Sequence, residues 1–233
     1  MSREVKNLPI SYEEQLAKEV ANMAKRISAP TGNRIRFNGN LSIITPDGNE
    51  GEAVDVVIVD FMSNNYFYDR PYNKDNPAPP ACFAIGTEPS MLVPSANSPA
   101  VQAATCATCP MNQFGSSPNG RGKACKNTRV LAVAPVLDGG ETPPLWLMTV
   151  SPSALKPFDA YVHSLASKHR TIPTGVVTEI SLDSNVQYAS PKFRVVRPLE
   201  GEELGTFMEL REEAVSLLTV EPDVSQYEPV KRR

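Results

Sequence analysis

Four cysteines, Cys82, Cys106, Cys109 and Cys125, are the residues of this 233-residue chain best suited to chemistry, and all four fall in one segment spaced C-x23-C-x2-C-x15-C. Cytosolic thiols stay reduced, so a CxxC pair with two further cysteines reads as tetrahedral zinc held through thiolates rather than as disulfides. Pro110 follows Cys109, while Gly115, Gly120 and Gly122 supply the backbone freedom a turn around thiolate ligands needs. Few apolar residues lie between Cys106 and Cys125, so this stretch builds no core of its own, and a metal supplies the order that burial cannot. The second CxxC of a zinc ribbon is missing, so Cys82 has to be delivered by a strand. An iron–sulfur cluster takes the same four thiolates, and four unrelated buried cysteines are the third reading. A redox CxxC normally opens a helix in a βαβ setting, which Pro110 and Asn112 do not match.

Around the last cysteine stand four cations, Arg121, Lys123, Lys126 and Arg129, while Glu88 is the one acid between Cys82 and Ala134. They read either as a phosphate-contact surface or as a solvated loop. A nucleotide-binding P-loop is excluded, since Ala124 stands where Ser or Thr must follow the lysine. Cations beside aromatic side chains are how single strands are gripped. Phe61, Phe83 and Trp146 read as core, whereas Tyr66, Tyr68 and Tyr72, flanked by Asn64, Asn65, Asp69 and Arg70, sit in a polar enough context to be surface stackers.

Enzyme signatures are absent. His163 and His169 are the two histidines, and both read as exposed and structural. No hydrolase elbow, zincin or dinucleotide motif occurs, and no His-x-Glu arm precedes the CxxC as a deaminase requires. Asp55, Asp60 and Asp69 suit a magnesium-dependent nuclease or ordinary polar alternation along a strand.

The scaffold must hold these residues in a chain that is 41% hydrophobic and 21% charged, with no apolar run long enough to span a membrane. The first twenty residues lack a secretory h-region, which makes the cytoplasm the expected compartment. Twenty-two prolines disfavour a helical bundle. The formal net charge is −3, but residues 200–233 carry −5, leaving the rest at +2.

Residues 11–28 carry helical spacing, with Ser11 and Glu14 as a capping box. A hairpin turning at Asn38-Gly39, a long strand-like run at 53–69 and a Pro-rich loop at 69–81 lead into the cysteine segment. Strands at 129–137 and 144–150 around Asp138-Gly139-Gly140, a helix at 154–168, strands near 174–183 and 192–199, and one helix at 201–218 complete the order, before an unstructured tail. The expected fold is α+β, mainly β: an oligonucleotide-binding-type antiparallel barrel over 33–199 with a zinc-loop insertion at 82–128. An N-terminal helix (1–32) and an acidic C-terminal helix and tail (200–233) flank it.

The stretches NNYFYDRPYNKDNPAPPACFAIG, CATCPMNQFGSSPNGRGKACKNTRVLAV, LWLMTVSPSALKPFDAYVHSL and GVVTEISL resemble a group of tailed-bacteriophage single-stranded DNA-binding proteins over roughly residues 54–200. The resemblance implies an oligonucleotide-binding-type barrel with a structural zinc, coating exposed strands in phage replication or recombination. It places the metal motif on Cys82, Cys106, Cys109 and Cys125 and the basic loop on Arg121 and Lys123. It also makes the acidic region 200–228 similar to partner-recruiting tails, from which this chain departs by ending Lys231-Arg232-Arg233. The expected protein is therefore non-enzymatic, binds single-stranded DNA and replication proteins, and uses neither membrane nor nucleotide cofactor. Its rivals are a module that binds a host or replication protein and an iron–sulfur or magnesium nuclease.

Overall fold

The run of Val, Ile and aromatic residues that begins at Ala53 forms the longest strand of the computed structural model, 15 residues ending at Phe67. The structure describes residues 12, 33–71, 73, 75–137 and 142–229. The helix expected at 11–28, apart from Tyr12, lies outside them, as do Tyr72, the Asp138-Gly139-Gly140 turn and the last four residues. Three short strands, β1 (Arg36–Asn38), β2 (Ser42–Ile44) and β3 (Glu50–Gly51), precede the long strand β4 (Ala53–Phe67). Then come β5 (Cys82–Gly86), β6 (Lys126–Pro135), β7 (Trp146–Val150), helix α1 (Leu155–Ser164), β8 (Val176–Leu182), β9 (Pro191–Pro198), and helices α2 (Gly201–Glu209) and α3 (Arg211–Leu218). These elements all belong to one unit, Arg34–Arg233. No helix among the described residues is long and apolar enough to cross a membrane.

Every strand of the main sheet is antiparallel to its neighbours. One edge of β4 pairs with β6, from Val56 opposite Pro135 to Tyr66 opposite Lys126. Its other edge is shared by β8, with Ala53 opposite Ser181, and β5, with Phe67 opposite Cys82. The order is β7-β6-β4-β8-β9, with β5 beside the far end of β4, while β1, β2 and β3 form a small sheet of their own. The chain is thus α+β and mainly antiparallel. Closure of the expected barrel is not seen, since among the described residues β7 and β9 are outer strands with no pairing to join them.

β4 is buried on both of its faces. On one face Val56 and Ile58 pack with Leu131, Met148, Phe158 and Leu165. Phe61 joins them, its ring edge-on to Phe158 at 5.1 Å between centroids. On the other face Val57, Val59 and Met62 meet Phe207, Leu210, Ala214 and Leu218. The pairing register shifts between Ile58 and Asp60. This bulge lets Ile58 and Phe61, three residues apart, share a face. The bulged carbonyl of Val59 accepts from Thr174 Oγ1 at 2.8 Å. The single helix expected at 201–218 is broken at Leu210, and Leu210 is itself buried against the sheet.

Because α1 and the α2–α3 pair cover opposite faces, the middle of the main sheet offers no open platform on which a base can stack. Phe83 and Trp146 are buried, as the sequence implies. The four cysteines stand at the end of β4, where β5 and β6 flank it. Phe158 is fully buried at the junction of α1 and β4, so Phe158→Ala should cost about 3–5 kcal/mol of stability in urea unfolding; a loss below about 1 kcal/mol would contradict this packing.

Candidate functional site

The pairing at the end of β4 explains how cysteines far apart in sequence meet. Cys82 opens β5 opposite Phe67, and Cys125 immediately precedes Lys126, which lies opposite Tyr66 on the other edge. The long loop between them folds back over this end. Cys106 N–H donates to Leu92 O at 2.9 Å, and Cys125 N–H donates to Met111 O at 2.8 Å. Gly115 and Gly120 turn the loop at φ of 88° and 68°, values that a side-chain-bearing residue rarely adopts. All four cysteines are buried, and none forms a disulfide.

Their side chains line one small cavity of about 10 Å³, shared with Asn65, Phe67 and Asn112. Burial pushes the Cys106 thiol up, opposed by a hydrogen bond from Asn65 and reinforced by Cys82 and Cys109. Cys125 is pushed up to about 12, first by burial and then by Cys106, Cys109 and Cys82, with Lys123 pulling it down. Without a cation burial therefore keeps the Cys106 and Cys125 thiols neutral. A divalent ion reverses this by taking the place of the protons. Among the described residues no three His, Cys, Asp or Glu side chains already stand at ligand spacing, so tetrahedral ligation requires the thiols to turn inward. The donor set itself, four soft sulfurs with no carboxylate or imidazole in the lining, suits zinc.

A polar network ties this cavity to the sheet. Lys123 Nζ donates to Asn127 Oδ1 at 2.9 Å and to Asn112 Oδ1 at 3.3 Å. Asn127 Nδ2 donates to Asn65 Oδ1 at 2.7 Å, and Asn112 Nδ2 to Cys106 O at 2.8 Å. The sequence alone does not mark these asparagines, because side-chain amides are ordinary in loops and at strand ends.

The four cations expected to act together are separated. Arg121 and Lys126 are exposed, Lys123 is half-buried in the amide network, and Arg129 is buried on β6, 3.6 Å from Asp159 of α1. Arg129 is thus corrected from a surface contact to a residue that braces a helix: its position alternates into the covered part of the sheet. The tyrosines separate too. The Tyr66 hydroxyl donates to the Asn64 side-chain oxygen at 2.9 Å, while Tyr68 is 44% exposed. Tyr72 lies outside the described residues.

Tyr68 and Lys126 instead line a groove of about 840 Å³ beside the cysteine cavity, together with Arg70, Met111, Ser117 and Pro118. The sequence did not reveal this groove, since its walls come from both the Pro-rich loop and the cysteine loop. It also gave no sign of Phe114, which is 84% exposed at the loop tip and has Lys123 Nζ 5.4 Å from its ring centroid.

The tail expected to be unstructured lacks helix and strand after Thr219, yet it is hydrogen-bonded to the fold. Glu221 accepts from Ser95 Oγ and Asn97 Nδ2, both at 2.6 Å, and Tyr227 OH donates to Asp69 Oδ2 at 2.6 Å. Arg70 donates to the Glu228 carbonyl. Two groove residues, Asp69 and Arg70, are thereby occupied by the chain's own tail. The three aspartates of the nuclease reading are not gathered: Asp55 is exposed, Asp60 faces Arg211 at 3.3 Å and Asp69 holds Tyr227. His163 and His169 are exposed on α1 and the turn after it.

No protein-family model, curated protein or solved structure matches the chain.

Buried thiols react slowly with disulfide reagents. In the folded protein all four cysteines should be slow towards 5,5′-dithiobis(2-nitrobenzoate) at neutral pH and fast in denaturant. A cysteine that reacts at the free-thiol rate without denaturant would contradict the burial of the cluster.

Proposed function

We propose that the chain is a non-enzymatic single-stranded DNA-binding protein of phage replication or recombination, whose cysteine loop is ordered by a structural zinc ion. The observation that carries this reading is the groove in which the exposed Tyr68 and Lys126 stand together beside the four-cysteine cavity, with Arg70 held at its edge by Asp69 and the Glu228 carbonyl. An exposed aromatic ring beside a free cation is the combination that holds a single strand, the ring by stacking and the cation at a phosphate. Arg121, exposed on the same loop, and Phe114 extend that surface.

Zinc would be held by Cys82, Cys106, Cys109 and Cys125, and its contribution is order: four thiolates leave no open position for an activated water. The small cavity supports a single ion over a multinuclear cluster. An oligonucleotide-binding-type barrel in its partly open form is the finer fold assignment that accompanies this reading, with β4 as the long strand bent at its bulge. The resemblance to phage DNA-binding proteins supports the same direction, and with it a location in the host cytoplasm. The acidic region 200–228 is then the surface for replication partners.

The second reading, a protein-interaction module, is favoured by one observation: what the groove residues Asp69 and Arg70 hold is peptide, from Tyr227 and Glu228. That module would bind an acidic or aromatic segment of another protein and ignore DNA.

Fluorescence anisotropy of a labelled oligothymidine, titrated at two salt concentrations, separates the two. Affinity should fall as salt rises, Lys126→Ala should lower the slope of log K against log salt by about 0.7, and Tyr68→Ala should cost about 1–3 kcal/mol of binding. Absence of binding at low salt, by protein that contains zinc, would overturn the DNA reading in favour of the interaction module.

A further inference from the structure

Lys123 lies in the basic loop, but its surroundings differ from those of a phosphate-contacting lysine. Its side chain is half-buried, its ammonium donates to the two amide oxygens of Asn127 and Asn112, and the Phe114 ring stands 5.4 Å away. Among the described residues no carboxylate pairs with it. A cation held by neutral acceptors, with no ion-pair partner, awaits a negative charge that the loop does not otherwise supply.

The cysteine centre supplies it. Four thiolates around a divalent ion carry a net charge of about −2, and burying such a charge is costly unless it is compensated nearby. Lys123 is two residues from Cys125, and the amides that hold it lead directly to the sulfurs. Asn112 lines the cysteine cavity and fixes the Cys106 carbonyl at 2.8 Å. Asn127 holds Asn65 at 2.7 Å, and Asn65 also lines the cavity with the four cysteines.

We propose that Lys123 is the fixed counter-charge of the four-cysteine zinc centre, positioned by Asn112 and Asn127, and is not a DNA contact. This rests on the zinc reading above. Its consequence is that the bound thiolates are kept inert. A nearby ammonium lowers the nucleophilicity of a zinc-bound sulfur, which suits a centre that gives order and does no chemistry.

The test compares wild-type full-length chain with Lys123→Met, which keeps the stem and removes the charge, and Lys123→Arg, which keeps the charge. Zinc affinity is read by competition with a chromophoric chelator, and the reactivity of the zinc-loaded thiolates by the rate of alkylation with iodoacetamide. Lys123→Met should weaken zinc binding by about 10–100-fold and speed alkylation, and Lys123→Arg should restore both. With zinc saturating, Lys123→Met should keep the wild-type salt dependence of oligothymidine binding.

Wild-type-like zinc affinity and alkylation rate in Lys123→Met would overturn the counter-charge assignment while leaving the zinc reading intact. A loss in Lys123→Met that Arg does not rescue would overturn it as well, marking the lysine as a packing residue. A reduced salt slope in the zinc-saturated methionine variant would return Lys123 to the phosphate contacts. If the wild-type chain takes up no zinc, the underlying reading fails and this inference falls with it.

Discussion

Burial of β4 on both faces is the constraint from which the rest of the molecule follows. A strand whose centre is covered by α1 on one side and by α2 and α3 on the other cannot use its face for binding, so function is displaced to its end. There β5 and β6 flank it on opposite edges: β5 enters at Cys82 and β6 at Lys126, and each brings a cysteine to the last residues of β4. The loop joining those strands has too little apolar content to pack by itself. It is held by the backbone bonds of Cys106 and Cys125, by an asparagine–lysine network and, in the proposed reading, by a metal ion.

Electrostatics then divides the basic loop into separate tasks. Sequence proximity suggests one positive patch over 121–129, yet alternation along β6 sends Arg129 inward to Asp159 and leaves Lys126 at the groove. Lys123 turns towards the amides around the cysteine cavity, and Arg121 stays in solvent. Four like charges within nine residues thus meet four different environments, and only their backbone geometry distinguishes them. Where the acidic tail crosses Asp69 and Arg70 its contacts are two neutral groups, the Tyr227 hydroxyl and the Glu228 carbonyl.

Much of the secondary structure was legible in the sequence because its signals are local. The hairpin at Asn38-Gly39, the β4 run, the strands on either side of residues 138–140 and the amphipathic pattern of α1 all follow from turn chemistry and periodicity. The layering was not legible. An uninterrupted apolar run such as VVIV fits a barrel wall and a doubly covered strand equally well, and the bulge at Asp60 that changes the phase is invisible to a strict alternation. Convergence of the four cysteines could be anticipated from their soft donor chemistry and shared segment. The groove could not, because Tyr68 and Lys126 become neighbours only through the register between β4 and β6.

The central claim is that four cysteines gathered at the end of β4 bind one metal ion that orders the loop beside the groove. Zinc K-edge X-ray absorption of the full-length chain tests it most directly. The account predicts one zinc per chain in a shell of four sulfurs at about 2.3 Å. A shell of nitrogen or oxygen ligands, or protein that retains no zinc, would contradict it.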